Sequence, residues 1–384
     1  MSPGAAHWST DPPQAWSFST RPKRSYDRRH GASRTPSNGI EGGRPIGRVL
    51  IIGCRGVLGT LTARAFAAAG WEVQGAARRP LAGQIKIDLD RRESILGALR
   101  GHDLVVNTVP HPALWPERLV LERGGRLINT SALPAAASRA LRAVAGDARG
   151  TVLMNAGLAP GVTNLVAAYL LHLHPEAHEL QIVITLSSAA PRGPASAQFV
   201  RRGLTAVARH RTVDVRLPGP FGERRCVGFG EGDAGWLGGV AEGRVVRVYI
   251  CVYEPAAHRQ LLALNDDGAI DALPRSLIGS RTLSADGSAG NEPVAHLIVA
   301  KRSGRRLDAR TIQCRGDFRH AALTTVAFAR ALIERERRGC LDPEEVCGLS
   351  ELDSELRRAG IRIEPYADAS PAVMEDERSL LGRR

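Results

Sequence analysis

The chain of 384 residues is 43% hydrophobic and carries a formal net charge of +13, enough length for two domains with a sizeable core. It has no 18-residue apolar run, which argues for a soluble globular protein over a membrane-spanning one. Nearly all the positive charge is arginine, with Lys23, Lys86 and Lys301 the only lysines, and aromatic residues are 4%. No basic run is interleaved with stacking rings, so the charge argues for an anionic cofactor or acidic substrate and against nucleic acid.

Residues 1–45 are rich in Pro, Ser, Gly and Arg without apolar periodicity. They read as a disordered tail or a misplaced start. They lack the apolar core of a secretory signal, and their Arg- and Ser-rich character admits an organellar transit peptide as the lesser alternative. The segment 366–384 reads as a second loose tail.

The first element past that tail is the most informative. Val49 to Ile52 is an apolar run that ends at Gly53, and Gly56 and Gly59 follow at intervals of three. Leu61, Ala65, Phe66 and Ala69 then recur at helical spacing. Strand, glycine turn and helix start in that order form the cradle in which an α/β sheet holds a nucleotide diphosphate. Gly53 permits the turn, Gly56 leaves room for the pyrophosphate, and Gly59 lets helix and strand pack closely. Residues Gly53, Cys54, Arg55, Gly56, Val57, Leu58 and Gly59 are the expected cofactor contacts. The spacing G-x-x-G-x-x-G is not the commoner G-x-G-x-x-G, so the flanking strand and helix carry the argument.

Apolar runs and helical patterns then alternate. Strands are expected over 71–78, 84–89, 103–110, 125–132 and 151–158, with helices over 91–100 and 134–150. This alternation predicts an α/β fold with a doubly wound parallel sheet of Rossmann type, whose ligand lies at the carboxyl ends of the strands. The second strand ends in Arg78 and Arg79 without the acid that would bind a ribose hydroxyl. Guanidinium pairs bidentately with phosphate, so these residues favour NADP over NAD; two solvated arginines are the alternative. Asp88, at the end of the third strand, suits either the adenine edge or the cap of the next helix. Asn107, Pro110, Asn129, Thr130 and Ser131 close the fourth and fifth strands and would face the nicotinamide end, although Asn107 and Asn129 are equally turn formers.

Past residue 162 the chain is strand-rich, with strands expected over 179–188, 224–230, 244–253 and 296–316 and a helix over 196–210. This second, α+β domain with a mostly antiparallel sheet would cover the cleft and form the substrate pocket. A homodimer through it is one arrangement the sequence leaves open. The six cysteines (Cys54, Cys226, Cys251, Cys314, Cys340 and Cys347) form no CxxC pair and indicate a reducing compartment, here the cytoplasm. His172 and His174 do not share a helix face, so no metal site is expected.

The segment 128–170, INTSALPAAASRALRAVAGDARGTVLMNAGLAPGVTNLVAAYL, resembles the saccharopine dehydrogenase-like family of NADP-dependent reductases. Its Gly157-Leu158-Ala159-Pro160-Gly161 turn, followed by Val162-Thr163-Asn164, looks like the family's crossing from nucleotide domain to substrate domain. The segment 320–365 looks like the family's returning helices. The resemblance implies a nucleotide domain over 46–161 completed by 318–365, a substrate domain over 162–317, and hydride transfer to or from a C=N or C=O group of a small acidic metabolite. Two departures argue against saccharopine itself: Ala159 stands where the family usually has Asp, and 187–210 lacks the pattern associated with saccharopine recognition.

Hydride transfer to a carbonyl needs a proton donor. The Tyr-x-x-x-Lys pair of short-chain dehydrogenases is excluded, because Ser19, Ala82 and Leu297 stand four residues before the lysines. Reduction of an iminium makes less demand on an acid and more on orientation and exclusion of water. A non-catalytic NADP-binding sensor or scaffold fits the same absence. His111, at the carboxyl side of the fourth strand, and Asn155 are the candidate catalytic residues. Asn164, Arg192 and Arg201 are the candidate substrate ligands, with Arg202 beside them. For Thr163 and Asn164 the alternative is helix capping; for the arginines, solvation.

Overall fold

The computed structural model describes residues 45–367 apart from 132, 134, 207–210, 231–236, 242, 280–282 and 284–289. The tails expected over 1–45 and 366–384 therefore lie outside the described residues, except at 45, 366 and 367. So does the end of the helix expected over 196–210.

The first half runs β1 (Arg48–Ile52), α1 (Val57–Ala68), β2 (Glu72–Ala77), β3 (Ile85–Lys86), α2 (Arg92–Leu99) and β4 (Leu104–Asn107). It continues through α3 (Trp115–Arg123), β5 (Arg126–Asn129), α4 (Ala135–Ala143) and β6 (Thr151–Leu153). The second half runs α5 (Val162–Leu173), β7 (Glu179–Leu186), α6 (Pro194–Thr205), β8 (Thr212–Leu217), β9 (Gly222–Gly228) and β10 (Val245–Val252). Then come α7 (Pro255–Asp266), β11 (Pro293–Arg302) and β12 (Arg305–Arg315). The chain returns through α8 (Asp317–Ile333), β13 (Gly339–Leu341), α9 (Pro343–Val346), α10 (Leu349–Arg358) and β14 (Arg362–Pro365).

The first sheet has the order β13-β6-β5-β4-β1-β2-β3 and is parallel throughout. The order in which successive strands are added reverses between β1 and β4, and such a switch point opens a crevice at the carboxyl ends of the strands. Val49 to Ile52 are all buried because helices cover both faces, so the strand reads as a continuous apolar run. Val49 and Ile51 join the core under α1 and α8, while Leu50 and Ile52 join a second core with Ile95, Leu119 and Leu127.

The second sheet has the order β14-β12-β11-β7-β10-β9-β8, antiparallel but for the pair β7 and β10. The fold class read from the sequence is the observed one. In β8, Val213, Val215 and Leu217 are buried while Asp214 and Arg216 are exposed, the alternation of a half-buried strand. The returning segment supplies one strand to each sheet, β13 pairing with β6 and β14 with β12, in addition to its helices. Among the described residues no helix is long and apolar enough to cross a membrane.

Candidate active site

The turn after β1 is held by backbone bonds: Gly53 N–H donates to the Ala76 carbonyl (2.9 Å) and Gly56 N–H to the Gly53 carbonyl (2.8 Å). Its three glycines answer to different constraints. Gly53 has φ +85°, and a Cβ there would lie 2.4 Å from Val109 Cγ2. A Cβ at Gly59 would lie 2.1 Å from the Gly53 carbonyl oxygen, so α1 can start this close to the strand only with glycine there. Gly56 has an ordinary φ of −79°, and its Cβ would meet only the Gly53 oxygen, at 3.3 Å. The backbone angle does not demand glycine at 56, and a Cβ there would press only on that one oxygen, beside the cavity that this residue lines. No side chain caps α1, so its first N–H groups are left to a ligand or to water.

That cavity has a volume of about 750 Å³. Gly53, Arg55, Gly56, Val57, Leu58 and Gly59 line it from the first turn; Arg78, Arg79, Asp88, Pro110, His111, Thr130 and Ser131 line it from the ends of the next strands. Arg55 reaches across the crevice to the Arg79 carbonyl at 2.5 Å, leaving Arg78 and Arg79 themselves exposed at the end of β2. The carboxylate of Asp88 accepts from the Asp90 N–H (3.1 Å), a turn just ahead of α2. His111 Nε2 lies 3.1 Å from Asp90 Oδ1, tying the loop after β4 to the loop before α2. From the second half Arg192 and Arg202 line the same cavity.

The remaining sequence-selected residues lie off the cavity. The Cys54 thiol packs beneath β2, where a Cβ on Gly75 would lie 2.8 Å from it, and burial pushes its pKa up. Asn107 and Asn129 are buried and both donate to Glu117 Oε1, at 2.7 Å each. Their own carbonyls accept from Val109 N–H and Ser131 N–H, so the two amides fix the loops after β4 and β5 from below. Burial raises the Glu117 carboxyl above its ordinary range against the opposing effect of these hydrogen bonds. Asn155, at φ +56°, donates to Asp342 Oδ1 (3.1 Å). Asn164 Oδ1 accepts from the Gly161 N–H (3.1 Å) at the start of α5, with Thr163 buried beside it. Arg201 donates to the Leu273 carbonyl at 2.7 Å.

The Gly157–Gly161 turn is equally constrained. Gly161 has φ +132°, and a Cβ there would lie 1.9 Å from the Gly157 oxygen. Leu158, Ala159 and Pro160 line the cavity where the chain passes from one sheet to the other.

Sequence reasoning missed two residues that line the second-sheet end. Asp317 Oδ2 accepts from Arg192 at 2.6 Å, and the guanidinium lies over the Phe318 ring at 5.1 Å. His296, on β11, is 1% exposed. Its Nδ1 accepts from the Thr185 N–H (3.1 Å), which places the ring proton on Nε2, and Nε2 has no partner among the described residues. Burial holds its pKa down to about 4, so the ring is neutral. An unpaired buried donor costs about 1–3 kcal/mol. Nothing in the linear sequence marks His296: it is a single polar residue in an apolar strand, and only the register of three strands brings it to the cavity.

A crevice at the switch point of a parallel sheet, with a glycine turn at one end and a second sheet at the other, defines a two-sheet α/β protein of Rossmann-like architecture. No protein-family model and no curated protein matches the sequence. Among solved structures, the apo saccharopine dehydrogenase (L-Glu forming) of Saccharomyces cerevisiae superposes with a TM-score of 0.50. It is 13% identical, over 84% of this chain and 100% of that one. An oxidoreductase from Sinorhizobium meliloti aligns at a TM-score of 0.38 and 10% identity, over 82% of this chain and 94% of that one. The chain has a saccharopine dehydrogenase-like fold.

Proposed function

We propose that the protein is an NADP-dependent oxidoreductase that transfers hydride to or from a C=N or C=O group of a small metabolite. The observation that carries this reading is Gly56, a glycine of ordinary backbone angle that lines the cavity at a helix start with no side-chain cap. The residues fit a dinucleotide there: the N–H groups of α1 would hold the diphosphate, and Arg78 and Arg79 would hold a 2′-phosphate. When bound, the nicotinamide supplies or accepts the hydride. Pro110, Thr130 and Ser131 would flank it at the ends of β4 and β5, and Leu158 to Pro160 would keep water from its far side.

The acidity expected of the substrate is supported by Arg192 alone among the three arginines named for it. Arg201 is turned to Leu273, and Arg202 is engaged by a partner of its own. Arg192 shares its charge with Asp317, which leaves room for one acidic group at most. A cytoplasmic setting fits the six free, buried cysteines.

The test follows NADPH absorbance in the presence of a panel of imines, keto acids and ketones. Oxidation by at least one of them, with NADH a poorer donor, is the expected result. Tight NADPH binding without turnover of any panel member would replace this reading by a sensor or scaffold.

A further inference from the structure

The second-sheet end of the cavity carries a more specific message, which rests on the reading above. On β7 and β10, Ile184 and Ile250 are paired in register. Continuing the β11 register of Leu297 with Val183 puts His296 beside Ile184, in one row across three strands. All three line the cavity, with Leu186, Phe199 and Phe318 around them. The row is aliphatic except for that ring, which lines the cavity and whose buried Nε2 has no partner among the described residues.

Charge at this end is already balanced. Arg192 is 4% exposed and bound to Asp317, and Arg202, which also lines the cavity, is engaged by another partner, so a ligand with several carboxylates would meet cations already shared and a largely hydrocarbon surface. Burying unpaired carboxylates there is unfavourable. A ligand with an apolar body and one acceptor atom satisfies every group the row presents.

We propose that the substrate is a ketone, aldehyde or imine on a hydrocarbon body, whose heteroatom accepts a hydrogen bond from His296 Nε2, and that His296 sets specificity for it over polycarboxylates. The orphan donor is then a binding group awaiting its acceptor. The ring is buried, neutral and held by Thr185, so its N–H points in a fixed direction and adds no charge to the site.

The experiment titrates the full-length protein, with excess NADP+ present so that no hydride is transferred, with 4-phenyl-2-butanone, butylbenzene and 2-oxoglutarate in a calorimeter, and measures NADPH uptake separately. The ketone is expected to bind most tightly and 2-oxoglutarate least. His296→Leu should weaken the ketone by about tenfold and leave butylbenzene within about twofold, the signature of one lost hydrogen bond. His296→Gln, which keeps an N–H near the same place, should recover most of the loss. Tighter binding of 2-oxoglutarate than of the ketone, or equal losses of ketone and hydrocarbon in His296→Leu, would overturn the proposal. If His296→Leu does not fold, the order of the three probes on the unaltered protein decides the matter. A protein that ranks the probes as expected but takes up no NADPH would sink the oxidoreductase reading and leave this one standing; uptake of NADPH with 2-oxoglutarate ranked first would do the reverse.

Discussion

Gly56 separates a ligand-shaped position from a fold-shaped one. Gly53 and Gly59 are fixed by backbone angle and close approach, whereas a Cβ at Gly56 would meet one atom only, the Gly53 oxygen at 3.3 Å. Gly56→Val should therefore abolish NADPH binding while costing about 0.5–2 kcal/mol of stability, the scale of helix N-cap exchanges. Unchanged affinity in that variant would contradict the placement of the diphosphate. Arg78→Asp should weaken NADPH by about 1.5–3 kcal/mol, the range for hydrogen bonds to charged groups, and NADH much less. Equal losses for the two cofactors would show that Arg78 does not read the 2′-phosphate. The glycine turn was legible in the sequence because a turn is a local structure: three glycines and the helix that follows lie within sixteen residues, 53–68. His296 and Asp317 were not, because their meaning depends on partners at Thr185 and Arg192, more than a hundred residues away.

At the scale of elements, α3 does more than cover the sheet. It carries Glu117 under the ends of β4 and β5, where one carboxylate oxygen takes both Asn107 and Asn129. The sequence offered these asparagines as turn formers or cofactor contacts. It did not single out α3, whose WPERLVLER opens at Trp115 and Pro116 with no side-chain cap and carries a charge at four of its nine positions. Because burial raises the Glu117 carboxyl, its effect on stability has a definite sign. Below its ordinary value of 4.5 the group is protonated in folded and unfolded chains alike. As pH rises from there to the folded value, only the unfolded chain ionises, so stability is lost across that window. Glu117→Gln keeps an acceptor for both asparagines and removes the ionisation. Its melting temperature should gain on that of the unaltered protein as pH rises above 4.5. A constant offset between the two at all pH values would contradict this account. The strands β13 and β14 escaped notice for a different reason: at three and four residues they are too short for any periodicity.

At the scale of the molecule, the chain leaves the first sheet at the 157–161 turn, builds the second sheet, and returns with one strand for each. The turn is the pivot of this path and also a wall of the cavity. Gly161→Ala meets both a positive φ and the Gly157 oxygen, and should destabilise the protein by at least about 1–3 kcal/mol, the cost of one residue held in such a backbone region. A melting temperature equal to that of the unaltered protein would show that the turn relaxes at no cost. The two-sheet architecture was readable from alternating strand and helix patterns because each pattern is a local consequence of burial. The parallel pairing of β7 with β10 was not readable, since periodicity shows which face a strand buries and not which neighbour it takes.

The central claim is that a dinucleotide phosphate lies on the uncapped start of α1. Calorimetric titration of the full-length protein with NADPH and NADH tests it most directly. The account predicts one saturable site for NADPH, weaker binding of NADH, and no heat with either for Gly56→Val. Absence of heat with both cofactors on the unaltered protein would contradict it.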